Sequence, residues 1–151
     1  MSSHPGRRRS SQPREGRMFG ALLSAALALP MSAAMASGDD FRPGQRIYAE
    51  QCAKCHGVNL EGQPDWMKRL PNGRLPAPPH DATGHTWHHS DAQLFRIVKE
   101  GLGSIAPGYE TDMPIFSGVL TDGEIQAVLD YIKSTWPARQ KAFQRARSQP
   151  Q

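Results

Sequence analysis

Residues 52–56 read Cys-Ala-Lys-Cys-His, and they contain both cysteines of this 151-residue chain. Two cysteines three positions apart on a helical turn face the same side, so each thiolate can bond one vinyl group of a single porphyrin. The next residue, His56, then lies beneath the ring with its imidazole directed at the iron. This is the spacing of c-type haem attachment. It predicts one covalent haem c per chain, held by Cys52 and Cys55, with His56 as the proximal iron ligand.

Three other interpretations of the cysteine pair have to be weighed against haem. A thioredoxin-like redox pair needs a strand–helix–strand setting, and no segment of the sequence alternates convincingly as a strand does. A zinc site needs more ligands than the neighbouring residues clearly supply. A disulfide is the ordinary use of two cysteines in an exported chain, but the C-x-x-C-H spacing argues for covalent haem.

The formal net charge of +4 would ordinarily suggest nucleic acid or an anionic membrane as a partner. The excess is confined to residues 1–36, which carry five arginines and one glutamate, whereas residues 37–151 carry 13 basic and 13 acidic residues. The charge therefore belongs to the N-terminal segment, and no nucleic-acid partner is expected.

That N-terminal segment has the organisation of an export signal. Arginines precede a short apolar run at residues 21–29, and residues 34–36 read Ala-Met-Ala, an A-x-A cleavage pattern. We expect residues 1–36 to be a signal peptide cleaved after Ala36, and the mature protein to be periplasmic. An uncleaved membrane anchor and translation from Met18 both stay open.

Helical periodicity appears in three segments of a single domain, residues 37–138. The helices are predicted at about residues 43–55, 91–100 and 122–136, the last beginning with a capping box from Thr121 to Glu124. Residues 57–90 form a long polar stretch rich in proline, and residues 139–151 are interpreted as a basic, flexible tail. The three helices contain too few apolar residues to form a hydrophobic core by themselves. The fold is therefore predicted to be all-α, with three main helices and long loops wrapped around the haem.

The second axial ligand of the iron is expected to be a methionine. Residues 37–151 contain two, Met67 and Met113. Met113 lies in the loop before the last helix, where Pro114 stiffens the backbone, whereas Met67 follows His56 by 11 residues on what we expect to be the proximal side. Met113 is therefore predicted as the distal ligand. A thioether stabilises ferrous iron and raises the potential above that of a bis-histidine site.

The chain resembles the class I, mono-haem cytochromes c over roughly residues 42–136. The resemblance rests on residues 48–57 (YAEQCAKCHG), 112–116 (DMPIF) and 128–132 (VLDYI). It implies His56/Met113 ligation, thioether bonds from both cysteines, and a crossing of the first and last helices for which Gly44, Tyr48 and Tyr131 are the matching candidates. The family's short G-P-x-L segment is replaced here by a longer proline-rich stretch ending at residues 78–81 (PPHD). We expect a proline carbonyl of that stretch to accept the Nδ1–H of His56.

A histidine-rich loop precedes the second helix, and three interpretations of it stay open. Its side chains can donate to a haem propionate, with Trp87, His85 and His88 as candidates. They can bind a second metal such as copper, which suits clustered imidazoles, or they can be solvated turn residues. Replacement of Met113 by one of these histidines as the distal ligand is a further alternative. The loop contains four histidines: His80, His85, His88 and His89.

These features predict an electron carrier rather than an enzyme. With both axial positions filled, substrate has no access to the iron, and single electrons pass between redox protein partners that dock near Lys54. We expect a monomer, although association with a membrane complex stays open. One alternative is a haem subunit or accessory protein of a dehydrogenase, oxidase or copper-handling system. Another is a ligand-binding or peroxidatic cytochrome with an open sixth site.

Overall fold

The computed structural model of the protein describes residues 41–149, and within that range every regular element is helical. The predicted signal peptide at residues 1–36 lies outside the described residues. Extended pairing between residues 41 and 149 is limited to one isolated bridge, Ser117 to Leu120. In chain order the elements are α1 (Arg42–Ile47), a π-helical segment (Tyr48–Cys52), α2 (Ala53–His56), a 3-10 turn (Thr86–His88), α3 (Asp91–Glu100), a second 3-10 turn (Leu102–Ser104), α4 (Asp122–Thr135) and α5 (Ala138–Ser148).

The first predicted helix is observed as one helical run made of α1, the π-helical segment and α2. Pro43 lies in its first turn, where the missing amide hydrogen costs no helical bond. Gly57 ends the run with φ +80°, a conformation that glycine adopts without strain. The run therefore delivers the residues of the C-x-x-C-H motif at its C-terminal end.

The second and third predicted helices, α3 and α4, begin with capping boxes. The Ser90 hydroxyl accepts from the amide of Gln93 and the Gln93 side chain accepts in return from the Ser90 amide. Thr121 and Glu124 make the same reciprocal pair at α4, as predicted from the sequence. Each pair satisfies amide groups that the first helical turn would otherwise leave without partners.

The core forms where α1 crosses α4. At Gly44 an added Cβ would lie 2.0 Å from the carbonyl oxygen of Ala127, so only glycine permits this approach of the two helices. The Tyr48 and Tyr131 rings meet nearby with centroids 5.6 Å apart. The predicted crossing residues are therefore confirmed. The remaining large apolar side chains of the core are Ile47, Leu60, Leu94, Ile125, Val128, Leu129, Ile132 and Trp136.

The C-terminal segment departs from its prediction as a flexible tail. Residues 138–148 form helix α5, and its Gln144 is buried, donating to Asp91 Oδ1 at 2.8 Å and to Ser148 Oγ at 3.0 Å. The Phe143 ring packs edge-on against Trp87 at 5.3 Å. These polar and aromatic contacts dock a helix that lacks a broad apolar face, and they extend the folded domain past residue 138.

The proline-rich stretch between α2 and α3 is an ordered loop held by its own backbone bonds. The His80 amide donates to Leu60 O at 2.8 Å, and the Gln63 amide donates to Ala77 O at 2.9 Å. At Gly84 an added Cβ would lie 2.0 Å from the Pro79 carbonyl oxygen, so two parts of the loop are in close contact. Across the described range, no helix combines the length and the apolar character needed to cross a bilayer.

Candidate functional site

His56 is the fixed point of the site. It ends α2, its side chain is 7% exposed, and its Nδ1 lies 2.8 Å from the carbonyl oxygen of Pro78. A carbonyl can only accept, so Nδ1 carries the proton and Nε2 keeps the lone pair that can bind a metal. The expected proline carbonyl is thus that of Pro78. The imidazole is oriented and in the tautomer that an iron ligand requires.

The pKa of His56 supports the same protonation state. Burial lowers this pKa below its ordinary value of 6.5, and the bond to Pro78 opposes the shift without reversing it. Burial disfavours the charged imidazolium because it removes water from the ring. His56 is therefore neutral near pH 7, as ligation demands.

The backbone around His56 is held by Tyr48 and Gly62, and the loop opposite His56 is held by Trp136. The Tyr48 hydroxyl donates to Gly57 O at 2.8 Å and lies 3.3 Å from His56 O. The Gly62 amide donates to His56 O at 2.8 Å. On the far side of the loop, the Trp136 indole donates to His80 O at 2.7 Å. The helix that carries His56 and the loop that carries Pro78 are both anchored to the core.

His80 has a place in the site that sequence reasoning missed. Its imidazole stacks on the His56 ring with centroids 3.9 Å apart and planes 23° apart, and its Nδ1 lies 2.8 Å from the hydroxyl of Thr86. Sequence reasoning grouped His80 with the other loop histidines. Its position directly after the two prolines was the available signal, because the residues next to the carbonyl that orients His56 must also lie near that ring.

Cys52 and Cys55 are both free thiols on the same helical run as His56. Burial, followed by the neighbouring Cys55, raises the pKa of Cys52 to about 11. A catalytic redox pair needs the opposite shift, toward a stable thiolate. Cys52 therefore lacks the lowered pKa of a thioredoxin-like nucleophile.

Met113 and Met67 differ sharply in their surroundings. Met113 is partly buried and lines a cavity of 390 Å³ together with Arg74, Ser104 and Tyr109. Met67 is 75% exposed on the proline-rich loop. Met67 also lines a depression, of 380 Å³, so the two residues differ in burial, and the partial burial of Met113 suits an axial ligand better than the exposure of Met67.

Two buried donors in the described part of the chain have no partner, and both fit haem. They are the indole nitrogen of Trp87 and the hydroxyl of Ser104. Buried donors are rarely left unpaired, and the propionate carboxylates of a haem are acceptors of the right kind. Trp87 was a predicted propionate contact, and its donor is free for that bond. His88 is exposed, and its ring packs on Trp87 and Phe143.

The histidine-rich loop shows ring stacking and no metal geometry. His85 stacks on Trp66 with centroids 5.4 Å apart, and it meets the His89 ring at 5.6 Å. Between residues 41 and 149, no group of three or more His, Cys, Asp or Glu side chains is arranged to hold a metal ion. The copper interpretation of this loop therefore has no structural support.

Comparison with models of known protein families identifies the family of this chain. A family model for cytochrome c matches residues 41–136, which contain the attachment motif, Pro78, Met113 and the α1–α4 crossing. The chain belongs to the cytochrome c family. The class I, mono-haem kind is the usual one in this family, and the all-helical structure agrees with the cytochrome c fold. Membership shows a haem-binding electron carrier that is not a catalytic enzyme by itself, and it implies haem c and redox protein partners.

Searches against curated proteins and against solved structures gave no match to this chain. Helix α5 lies beyond the segment that the family model matches, so it is an addition to the part of this cytochrome that the family defines.

Proposed function

We propose that this cytochrome is a periplasmic carrier of single electrons, with one haem c bound through Cys52 and Cys55 and ligated by His56 and Met113. The observation that carries the proposal is the 2.8 Å contact between His56 Nδ1 and Pro78 O. It leaves Nε2 as the free ligating atom, on a ring that burial keeps neutral. The second ligand is assigned to Met113 because it is partly buried, whereas Met67 is 75% exposed.

When bound, the haem supplies a one-electron iron couple whose potential depends on its axial ligands and on burial. The chain's contribution is to orient and shield. Pro78 and the stacked His80 fix the imidazole in one orientation, and Tyr48 fixes the backbone that carries it. A ligand held this firmly needs little rearrangement when the charge of the site changes.

Exposed side chains next to the ligand-bearing segments supply a surface for redox partners. Lys54 is exposed between the two cysteines, and Val58 is exposed two residues after His56. Ile115 and Val119, which follow Met113 in sequence, are 57% and 61% exposed. Electron-transfer complexes are small and short-lived, and small apolar contacts with a nearby charge suit such a complex.

The ligand assignment is tested by the visible spectrum of the oxidised holoprotein. We expect a methionine–iron charge-transfer band in the wild type and in Met67→Ala, and its loss in Met113→Ala. The ferrous Met113→Ala variant should also bind carbon monoxide, which the wild type should exclude. A wild-type spectrum without the band, or a band lost in Met67→Ala, would overturn the assignment.

Export and stoichiometry are tested on the protein purified from an expressing bacterium. Intact mass spectrometry should give a chain that begins at Ser37 and carries the mass of one haem. A chain that retains residues 1–36 in the membrane fraction would instead identify the N-terminal segment as an anchor.

A further inference from the structure

Met113 lies in a segment with few backbone bonds of its own. Between the second 3-10 turn and α4 the chain has no helix, and the Met113 amide donates to the Thr111 hydroxyl at 3.1 Å. No amide from residue 110 to residue 115 donates to a backbone carbonyl anywhere in residues 41–149. In this distal loop, residues 105–116, backbone bonds fix the two ends, where the Tyr109 amide donates to Ala106 O and the Phe116 amide donates to Val98 O, both at 3.1 Å. Residues 110–115 between those ends depend on side-chain contacts for their position.

Those contacts come from the proline-rich stretch, where residues 64–76 form an excursion that we call the strap. At its base the Gln63 amide donates to Ala77 O at 2.9 Å, and Gln63 Oε1 accepts from the Ala77 amide at 3.1 Å. These bonds close the excursion immediately before Pro78, the partner of His56. The base of the strap is thus fixed to the proximal side of the site.

The tip of the strap reaches the distal loop through Arg74. Its guanidinium pairs with the Asp112 carboxylate, and its Nε lies 3.8 Å from the carboxylate of Glu110. Arg69 adds a contact by placing its guanidinium 6.0 Å from the centre of the Tyr109 ring. All three distal partners lie within four residues of Met113.

The tip holds Arg74 in a defined turn. Its amide donates to the Asn72 side chain at 3.0 Å, and its carbonyl accepts from the Leu70 amide at 2.8 Å. A guanidinium presented from a fixed turn loses less conformational entropy on pairing than one on a mobile chain. The same side chain lines the cavity that Met113 lines.

We propose that Arg74 is a positioning residue for Met113: it ties the distal loop to the strap and so keeps the methionine in place as a ligand. The inference rests on the proposed His56/Met113 ligation. A thioether ligand exchanges when its loop swings away, so each contact that holds the loop lowers the fraction of molecules in which the position is open. Loss of exposed ion pairs is expected to raise that fraction about two- to fivefold.

Exogenous imidazole tests this, because it binds ferric iron only when Met113 leaves. The readout is the imidazole concentration that half-abolishes the methionine–iron band of the holoprotein. We expect Arg74→Gln to lower it about two- to fivefold, and Arg74→Glu, which places three carboxylates together, to lower it further. Lys68→Gln is the matched control, because Lys68 pairs with Asp65 inside the strap at 3.6 Å and should change nothing.

A charge swap separates the ion pair from other uses of Arg74. The double variant Arg74→Asp/Asp112→Arg should return the half-point to within about twofold of wild type. Unchanged imidazole binding in Arg74→Glu, or no recovery in the double variant, would overturn the inference about Arg74. The proposed His56/Met113 ligation would still stand in that case, provided that the wild type shows the methionine–iron band. A wild type without that band would overturn both. Thermal unfolding of each variant, measured in parallel, separates loop release from loss of the fold.

Discussion

The two sides of the site are built in opposite ways. On the proximal side, His56 ends a helix, is buried, bonds to Pro78 and stacks on His80. On the distal side, Met113 lies in the middle of a loop that backbone bonds fix only at its ends, and the residues around it are held by side-chain contacts, chiefly to Arg74. The comparison teaches that stability is unevenly distributed around one cofactor. Ligand exchange is therefore expected on the distal side, and loss of the fold on the proximal side.

The largest expected effect comes from breaking the proximal loop with Gly84→Ala. The new Cβ would lie 2.0 Å from the Pro79 carbonyl oxygen, so the segment that holds Pro78 and His80 must shift. We expect a loss of about 2–3 kcal/mol in the free energy of unfolding, measured by denaturant titration of the holoprotein. Gly103→Ala on the distal side is the control, because no atom lies within 4 Å of its Cβ. Equal losses in the two variants would contradict the asymmetry.

A smaller effect is expected from Tyr48→Phe, which removes the hydroxyl that holds the end of α2. The Tyr48 hydroxyl donates to Gly57 O at 2.8 Å, and its removal leaves that carbonyl without this partner. The free energy of unfolding should fall by about 1–2 kcal/mol. The distal counterpart is Tyr109→Phe, which keeps the ring beneath Arg69 and should leave stability nearly unchanged. A larger loss in Tyr109→Phe would reverse the comparison.

The smallest effect is expected in the pH dependence of stability, and it should again arise on the proximal side. Burial, and then neighbouring imidazoles, lower the pKa of His80 well below its ordinary value, and burial also lowers the pKa of His89. Because their folded pKa values lie below 6.5, the unfolded chain binds more protons in acid. Stability should be complete above about pH 6.5 and fall as the pH decreases through the folded pKa values. The distal loop contains no histidine.

His89→Gln checks the source of this acid sensitivity. Thermal unfolding midpoints of the holoprotein measured from pH 7.5 down to pH 5 should fall less steeply in the variant than in the wild type. Parallel curves for the two proteins would show that the acid loss arises elsewhere.

Much of the helical framework could be predicted because its signals are local. The capping pairs at Ser90 and Thr121 lie within four residues of their partners, and the apolar period of α4 repeats along one face. The π-helical segment over Tyr48–Cys52 was not predicted, since a single widened turn barely disturbs a 3.6-residue period. Helix α5 was missed because its docking depends on one buried amide, Gln144, rather than on an apolar stripe.

The candidate site also has a local part that could be predicted and a non-local part that could not. The attachment motif and its histidine form a local pattern, so their roles could be predicted from spacing. The pairing of Arg74 with Asp112 joins residues 38 positions apart, and the stacking of His80 on His56 joins residues 24 positions apart. No periodicity links such residues, because the loop path between them is set by turns and backbone bonds that only the folded chain reveals.

The bond from the Trp136 indole to His80 O bears on the order of events during folding. This bond joins residues 56 positions apart, and the close approach of Gly44 to Ala127 joins α1 to α4. Contacts so distant in sequence require a long loop to close, so we expect them to form late in folding. We therefore expect the pocket around His56 to be completed only after α4 has been synthesised and has docked, whereas the attachment motif is synthesised much earlier. We therefore expect a chain in which α4 has not yet docked to present both thiols more fully than the folded protein, in which Cys52 and Cys55 are partly buried, and covalent attachment to be easier in that state.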